Sequence, residues 1–400
     1  MGSRFWRMYA AYFTTTIGDE LYIVALPLVL LQLGYAAATA TFLRGALTGA
    51  TVLAGLTMGY LIDRHDTYYL LSRSYGISAV FLIAASGALA AGVDGFLVAL
   101  AAAAVLGLFA AITAAAVDAG IPRTVSDRRS IRHGYSLVES ARTIAVIAGP
   151  AFAGLLVTTG SLLIVTLANA ASFALAALLS RARRPIPVEA PQTHPPRIRD
   201  GLRMVATDTR LRLGITLSLL GNLTLGAEQP LFLARMVQDF GLSASVTAVV
   251  VALAGAASVV ASTITVRHAR AVPAGTAMVV AVAVLAATAA GVGLAPGPVP
   301  ASALYALFSV AVICYGVYWR TYRQDVTPGE LLGRVSATCR SIAYSGIVVG
   351  VLVVGVLQEL GVSTRTLLTV GGLVCLAGVA VVGPLVRRVT AEVRQAPRPS

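Results

Sequence analysis

Few residues in this chain are able to do chemistry, and they lie in apolar surroundings. Asp19 and Glu20 stand side by side inside an otherwise uncharged segment, 9–32. If a helix begins near residue 8, they sit roughly 17 Å along it at about 1.5 Å per residue, near the middle of a bilayer-length span. A charge there costs about 2.5–3.5 kcal/mol on insertion scales, so each intramembrane acid is a functional candidate by default. Adjacent helical side chains point about 100° apart, so the two acids must face different neighbours. A carboxyl that exchanges a proton for a substrate or a salt bridge is the simplest element that ties a conformational change to a proton gradient. The competing reading is structural, with Asp19 bonded to nearby threonines or backbone at a helix kink.

Other candidates follow the same logic. Glu228 precedes Gln229 and Pro230; the proline frees a carbonyl and bends the helix. Glu228 is expected to line a cavity, or else to pair with Arg235 at the outer rim. Glu139 and Arg142 are three apart and share a helix face; with Arg340 they are expected to form an inner ion-pair network, or more sharply an anion or proton relay. Asp118 is expected to pair with the arginine-rich segment after it. Tyr12, Phe13, Tyr22, Tyr305, Phe308 and Tyr315 would supply an apolar wall for a substrate, or ordinary packing. No metal or cofactor is expected. Cys314, Cys339 and Cys375 share no ligand spacing, and the four histidines lie in arginine-rich loops without a second ligand at i+4. Neither a Walker A sequence nor a G-x-S-x-G elbow occurs, which argues against an enzyme and leaves an ion gradient as the energy source. A proton fits carboxylates that lack an evident oxygen cage better than sodium does.

The elements that must position these residues follow from composition. Of 400 residues 57% are hydrophobic and 12% charged, against roughly 25% charged in soluble domains. A soluble globule of that composition has too little polar surface to face water. Twelve apolar segments run over 9–32, 40–62, 70–92, 95–119, 134–157, 161–180, 213–236, 244–266, 274–294, 301–319, 334–358 and 364–386, each near the length of a membrane span. The net charge of +13 comes from arginines alone, in short strips between apolar segments. That pattern orients membrane helices and excludes a nucleic-acid reading. With the N-terminus inside, 25 arginines fall on inner segments and only Arg44, Arg235 and Arg365 outside, so both termini are expected to be cytoplasmic.

The fold class expected is an all-α membrane protein of twelve transmembrane helices in two six-helix bundles. The bundles are 1–180 and 213–386, joined by a linker at 181–212 and followed by a tail at 387–400. The linker begins proline-rich and continues from Arg199 to Arg212 as a basic amphipathic helix on the membrane surface. A faint parallel repeat supports two halves. A shift of 203 sets Gly18-Asp19 on Gly221-Asn222, Pro27-Leu28 on Pro230-Leu231 and Arg64 on Arg267; a shift of 198 sets Asp127 on Asp325 and Arg142 on Arg340. Parallel repeats around a midplane site are one of the two repeat schemes of membrane transporters. In span 5, Gly149-Pro150 and Ala153-Gly154 let a helix bend and pack closely.

These residues carry a family resemblance. The stretch Gly59-Tyr-Leu-Ile-Asp63-Arg64 resembles the G-x-x-x-D-R signature of the major facilitator superfamily, with Arg267 and Arg270 in a weaker second copy. Ala145-x-x-x-Gly149-Pro150 is similar to the motif of its antiporter branches. Gly201-Leu-Arg-Met-Val before span 7 and Leu332-Gly-Arg334-Val before span 11 look like the branch of macrolide-efflux pumps and the enterobactin exporter. The resemblance implies a proton-coupled exporter of a small amphipathic compound, with two halves rocking about a cavity lined by spans 1, 4, 7 and 10. It also implies that Asp63 and Arg64 latch the inner gate. Partners would be the substrate, protons and the lipid of a bacterial cytoplasmic membrane, and the chain is expected to be a monomer. A nutrient importer of the same fold and a non-transporting sensor or scaffold are the rival readings.

Overall fold

The computed structural model describes residues 2–55, 65–124, 127–181, 198–268, 272–328 and 331–395. They form twelve long helices and one short one, with no strand among the described residues. In chain order these are α1 Ser3–Gln32, α2 Ala37–Gly55, α3 Thr67–Ala90, α4 Gly95–Thr124, α5 Arg128–Val157, α6 Leu162–Leu179 and the short α7 Ile198–Thr207. They continue with α8 Thr209–Ala234, α9 Ala244–His268, α10 Ala274–Leu294, α11 Pro298–Val326, α12 Leu332–Glu359 and α13 Thr364–Gln395. The described part of each of the twelve apolar segments falls on one long helix. Ten of them meet the length and apolarity of a membrane span among the described residues. The other two are α2, whose apolar segment runs on past Gly55, and α8, which carries Arg210, Arg212 and Glu228. Large apolar side chains point outward, among them Leu53, Leu155, Val299 and Val381 at 66–78% exposed. A surface this apolar is stable against lipid, not water.

The helix ends show why the connections can be short. At the end of α1 the Tyr35 nitrogen bonds the Leu30 carbonyl and the Gly34 nitrogen the Leu31 carbonyl, with Gly34 at φ 87°. Gly361 does the same after α12 at φ 84°. This double closure needs a left-handed residue, which only glycine adopts without strain. At helix starts, Asp66, Asp127 and Asp208 accept backbone N–H bonds from the first turns of α3, α5 and α8. Asp208 also binds Arg210 at 2.7 Å. These bonds outweigh the partial burial of its carboxyl and hold it below the usual carboxylate range.

That cap corrects the linker reading. The amphipathic helix stops at Thr207, because Asp208 starts α8 and takes Arg210 and Arg212 into it. The helix α7 lies against α12, with Val205 6% exposed. The proline-rich part of the linker lies outside the described residues.

Chain contacts divide the molecule into two compact units, 1–194 with 237–252, and 195–236 with 253–400. The start of α9, up to Ala252, thus groups with the first unit. There Gly154 of α5 leaves room for the Ser245 carbonyl, and the Gln238 side chain donates to the Tyr35 carbonyl at 3.2 Å. Inside the first unit α1 packs on α5 and α6, α3 on α4 and α6, and α2 on α4. Inside the second, α8 packs on α12 and α13, and α10 on α11 and α13. Apart from α2 on α4, each of these pairings recurs seven helices on, the structural form of the sequence repeat.

Small residues make these contacts possible, because lipid offers no hydrophobic drive between helices and packing must. A β-carbon on Gly107 of α4 would run into the Leu47 carbonyl of α2, whereas Gly316 of α11 faces open space. Gly107→Val is therefore expected to cost about 1–3 kcal/mol by overpacking and lower the melting temperature in detergent. Gly316→Ala is expected to leave it unchanged or raise it slightly through helix propensity. Equal melting temperatures for wild type and Gly107→Val would contradict the α2–α4 contact.

Candidate functional site

The middle of α1 is clamped on two sides. A β-carbon on Gly18 would run into the Ser172 hydroxyl and, at 2.7 Å, Asn169 Oδ1 of α6. A β-carbon on Gly149 of α5 would run into Glu20 and, at 2.8 Å, the Leu21 nitrogen. Both neighbours thus approach the α1 backbone at the level of Asp19 and Glu20, and both acids are half-buried.

Asp19 and Glu20 meet different groups, as their angular separation requires. Asn169 is fully buried and accepts from the Ser172 hydroxyl at 3.1 Å through Oδ1. Its Nδ2, with no partner of normal hydrogen-bond geometry, lies in reach of the Asp19 carboxyl. Tyr75 of α3 is fully buried near Thr15 and Asp19. Glu20 instead has two guanidiniums in Coulombic range, Arg44 of α2 and Arg142 of α5. Arg142 Nη2 also donates to the Tyr12 hydroxyl at 3.2 Å. Arg44 is half-buried with its Nε enclosed and without a hydrogen-bond partner. Among the described residues, two carboxylates and two guanidiniums from three helices form a cluster whose formal charges balance. A proton added to or taken from it changes the sum by one.

The sequence placed some of these residues and missed others. Arg44 is not an outer-loop residue; it lies within α2 and acts on Glu20. Asn169 was not foreseen, although an amide between alanines in an apolar span, three residues before Ser172, is a legible signal. Glu139 and Arg142 share a helix but form no ion pair. Glu139 stands exposed, because the Arg142 guanidinium reaches across to Tyr12 instead. Arg340 is likewise exposed. Asp118 is exposed, and its backbone carbonyl accepts from the Tyr135 hydroxyl at 3.1 Å. Gly59, Asp63 and Arg64 lie outside the described residues; Arg267 is exposed in the last turn of α9.

Glu228 does not pair with Arg235. Its side chain is 2% exposed with Oε1 unpartnered. Arg235 turns away, giving Nε to the Val292 carbonyl and Nη2 to that of Ala295, both at 3.0 Å. These carbonyls end α10, where an arginine complements the helix dipole. Of the aromatic residues expected at a wall, all but the half-buried Phe13 are packed inside the protein. Tyr305 stacks on Phe232 at 3.9 Å and sits beside Phe308. Tyr315 donates to the Gly214 carbonyl at 3.4 Å, and Tyr12, Tyr22 and Phe308 are each at most 6% exposed. Pro230 and Pro150 are buried inside their helices.

The second unit has the same crossing without the charges. A β-carbon on Gly350 of α12 would run into the Leu223 carbonyl of α8. Leu223 is the repeat mate of Glu20, and Asn222 that of Asp19. The Asn222 amide turns back to its own helix, donating to the Ser218 carbonyl at 2.8 Å. The crossing needs glycine, not an acid, so the first unit's carboxylates are an addition to a scaffold that stands without them.

Comparison with known proteins agrees with this architecture. A family profile described as Major Facilitator Superfamily matches residues 8–351. No curated protein matches the chain by sequence. Among solved structures, a mutant of the nucleoside transporter NupG is 15% identical with a TM-score of 0.77, covering 97% of this chain and 99% of its own. A bacterial homologue of the iron transporter ferroportin, in an inward-facing state, is 17% identical at 0.73, covering 98% and 99%. A bacterial homologue of the human lysosomal transporter Spinster is 14% identical at 0.72, covering 99% of both chains. At such identities the likeness is one of fold.

The charge cluster makes a thermodynamic prediction. Arg44→Gln and Glu20→Gln are each expected to lower the melting temperature, and the double variant to lose less than the two losses added. The coupling expected for charges in contact is about 0.5–3 kcal/mol. Additive losses would show that Arg44 and Glu20 do not interact.

Proposed function

The chain belongs to the Major Facilitator Superfamily, and we propose that this member is a proton-coupled antiporter exporting a small amphipathic compound, such as an antibiotic or a siderophore, from a bacterial cell. The observation that carries the proposal is the balanced cluster at the middle of α1. Glu20 has Arg44 and Arg142 in range of its charge, whereas Asp19 has an amide and a second carboxylate. On that difference Asp19 is assigned as the proton carrier and Glu20 as the anchor of the guanidiniums. An ionised Asp19 adds a second negative charge that draws the guanidiniums inward, and a protonated Asp19 leaves them to Glu20 alone. A proton that changes contacts in this way shifts the balance between two conformations, which is what alternating access requires.

Export is supported by the Gly149-Pro150 stretch. Gly149 lies directly on α1 at Glu20, so a bend of α5 at Pro150 and the position of the charged pair are linked through one contact. The inner latch of Gly59, Asp63 and Arg64 with Arg267 is part of the same proposal, by family resemblance. Glu228 has a lesser role here: it is sealed in this conformation, and its repeat mate is Ala25. The solved neighbours carry different solutes on one fold, so the substrate must come from the site and not the fold.

The test is proton release from purified protein on adding candidate substrates, with Asp19→Asn, Glu20→Gln and Glu228→Gln beside wild type. Release is expected in wild type, lost in Asp19→Asn and kept in Glu228→Gln, with Glu20→Gln chiefly less stable. Substrate binding to wild type without proton release would sink proton antiport. Release surviving in Asp19→Asn would move the carrier to another acid. Uptake of labelled solute driven by an intact gradient in cells would reverse the direction proposed.

A further inference from the structure

The end of α11 holds basic residues that nothing in the transport reading uses. Arg320 and Arg323 lie in its last two turns, and Arg340 lies in α12. The charges of Arg320 and Arg340 both bear on Arg323, and no carboxylate among the described residues does. The nearest acid in sequence, Asp325, is exposed and makes no ion pair among the described residues. Like charges gathered in a low-dielectric boundary repel; among the described residues only the Cys339 thiol beside Arg323 eases that repulsion, and a thiol is no counter-ion.

The site is built rather than loose. The Arg323 guanidinium carbon stands 5.7 Å from the centre of the Trp319 ring, a cation–π contact that fixes its plane. Cys339 lies alongside it. Two polar side-chain atoms here, Arg323 Nε and Thr327 Oγ1, are buried without a hydrogen-bond partner, whereas Tyr322 faces Asp208 and Arg210. Thr327 itself is only 6% exposed. Arg323 and Thr327 are four apart, on one stripe of the helix. Buried donors left unsatisfied are rare enough to call for an occupant.

The repeat shows how the excess arose. In the first unit Arg142 has Tyr12 and the charge of Glu20. Its mate Arg340 has neither, since Glu20 corresponds to Leu223 and Asp19 to Asn222. Depth then narrows the ligand. The 29 residues of α11 make a rod of about 43 Å at ~1.5 Å per residue, the full thickness of a bilayer with its headgroups at about 40–45 Å. Arg323 lies about 5 Å and Arg320 about 9 Å from its end by the same rise, at the level of lipid phosphates. Planar guanidinium forks match phosphate oxygens in pairs.

We propose that Arg320, Arg323 and Arg340, backed by Trp319, form a binding site for a phosphate group, from a phospholipid headgroup or a soluble phosphorylated solute. The site is independent of the proton-carrying cluster and does not rest on the direction of transport. The test uses full-length protein in nanodiscs of phosphatidylcholine alone, with added inorganic phosphate, or of phosphatidylcholine with phosphatidylglycerol. Melting temperature and co-purified lipid are the readouts. One probe or both should stabilise the wild type, as any ligand of the folded state does, and the stabilisation should weaken at least fivefold in apparent affinity in Arg323→Gln and Arg340→Gln. Arg365→Gln, an arginine elsewhere on the surface, should keep it. Stabilisation by phosphatidylglycerol alone assigns a lipid headgroup; stabilisation by inorganic phosphate in the neutral nanodisc assigns a soluble ligand. Arg340 is exposed, so its variant gives the reading even if Arg323→Gln does not fold. No stabilisation by either probe, or stabilisation unchanged in the Arg340 variant, overturns the proposal.

Discussion

The constraint on which the first unit depends is that an ionisable group inside an apolar bundle must find its partners in protein, because lipid supplies none. Asp19 and Glu20 meet it through backbone proximity. Gly18 lets α6 come close enough for Asn169 to reach one acid, and Gly149 lets α5 close against the other. A side chain at either glycine would hold a neighbouring helix away and leave a carboxylate facing hydrocarbon. The two glycines and the two acids are therefore one device, spread over three helices and fixed by the 100° step between adjacent residues of α1.

The repeat separates what the fold needs from what this chain added. In both units the crossing of the first and fifth helices rests on a glycine against backbone, Gly149 at Glu20 and Gly350 at Leu223. The second crossing is closed by leucine, and its polar neighbour Asn222 is satisfied by its own helix. A purely structural role for the acids would predict their counterparts to be acids too. Polar groups retained where an apolar residue would pack are costly, and that cost is what makes Asp19 and Glu20 functional candidates.

The fold was legible because the length and apolarity of a span are local properties: the described part of each of the twelve segments is helical. The site was legible only in part, because what a charge pairs with is not local. The i, i+3 spacing of Glu139 and Arg142 allowed an ion pair, yet the Arg142 side chain found Tyr12 on another helix. Glu228 and Arg235 are seven apart and seemed matched at one rim, but two carbonyls at the end of α10 took the guanidinium. Arg44, tallied as external, lies eight residues into α2 and acts on Glu20. In each case the arginine's length decided the outcome: a side chain that reaches past its own helix is set by topology, and an arginine tally cannot see it.

The two units share a packing scheme and differ in charge balance. The first gathers two acids and two arginines, so its cluster is neutral when all are ionised, and a single proton sets its net charge. The second gathers three arginines beside Trp319, and among the described residues no carboxylate bears on Arg323 at their centre. A balanced cluster responds to a proton, since one proton is its whole imbalance. An unbalanced cationic one responds to an anion, because a proton adds nothing to guanidiniums that are always charged. One repeat has thus diverged into two kinds of electrostatic element, and the divergence turns on the exchange of Asp19 and Glu20 for Asn222 and Leu223.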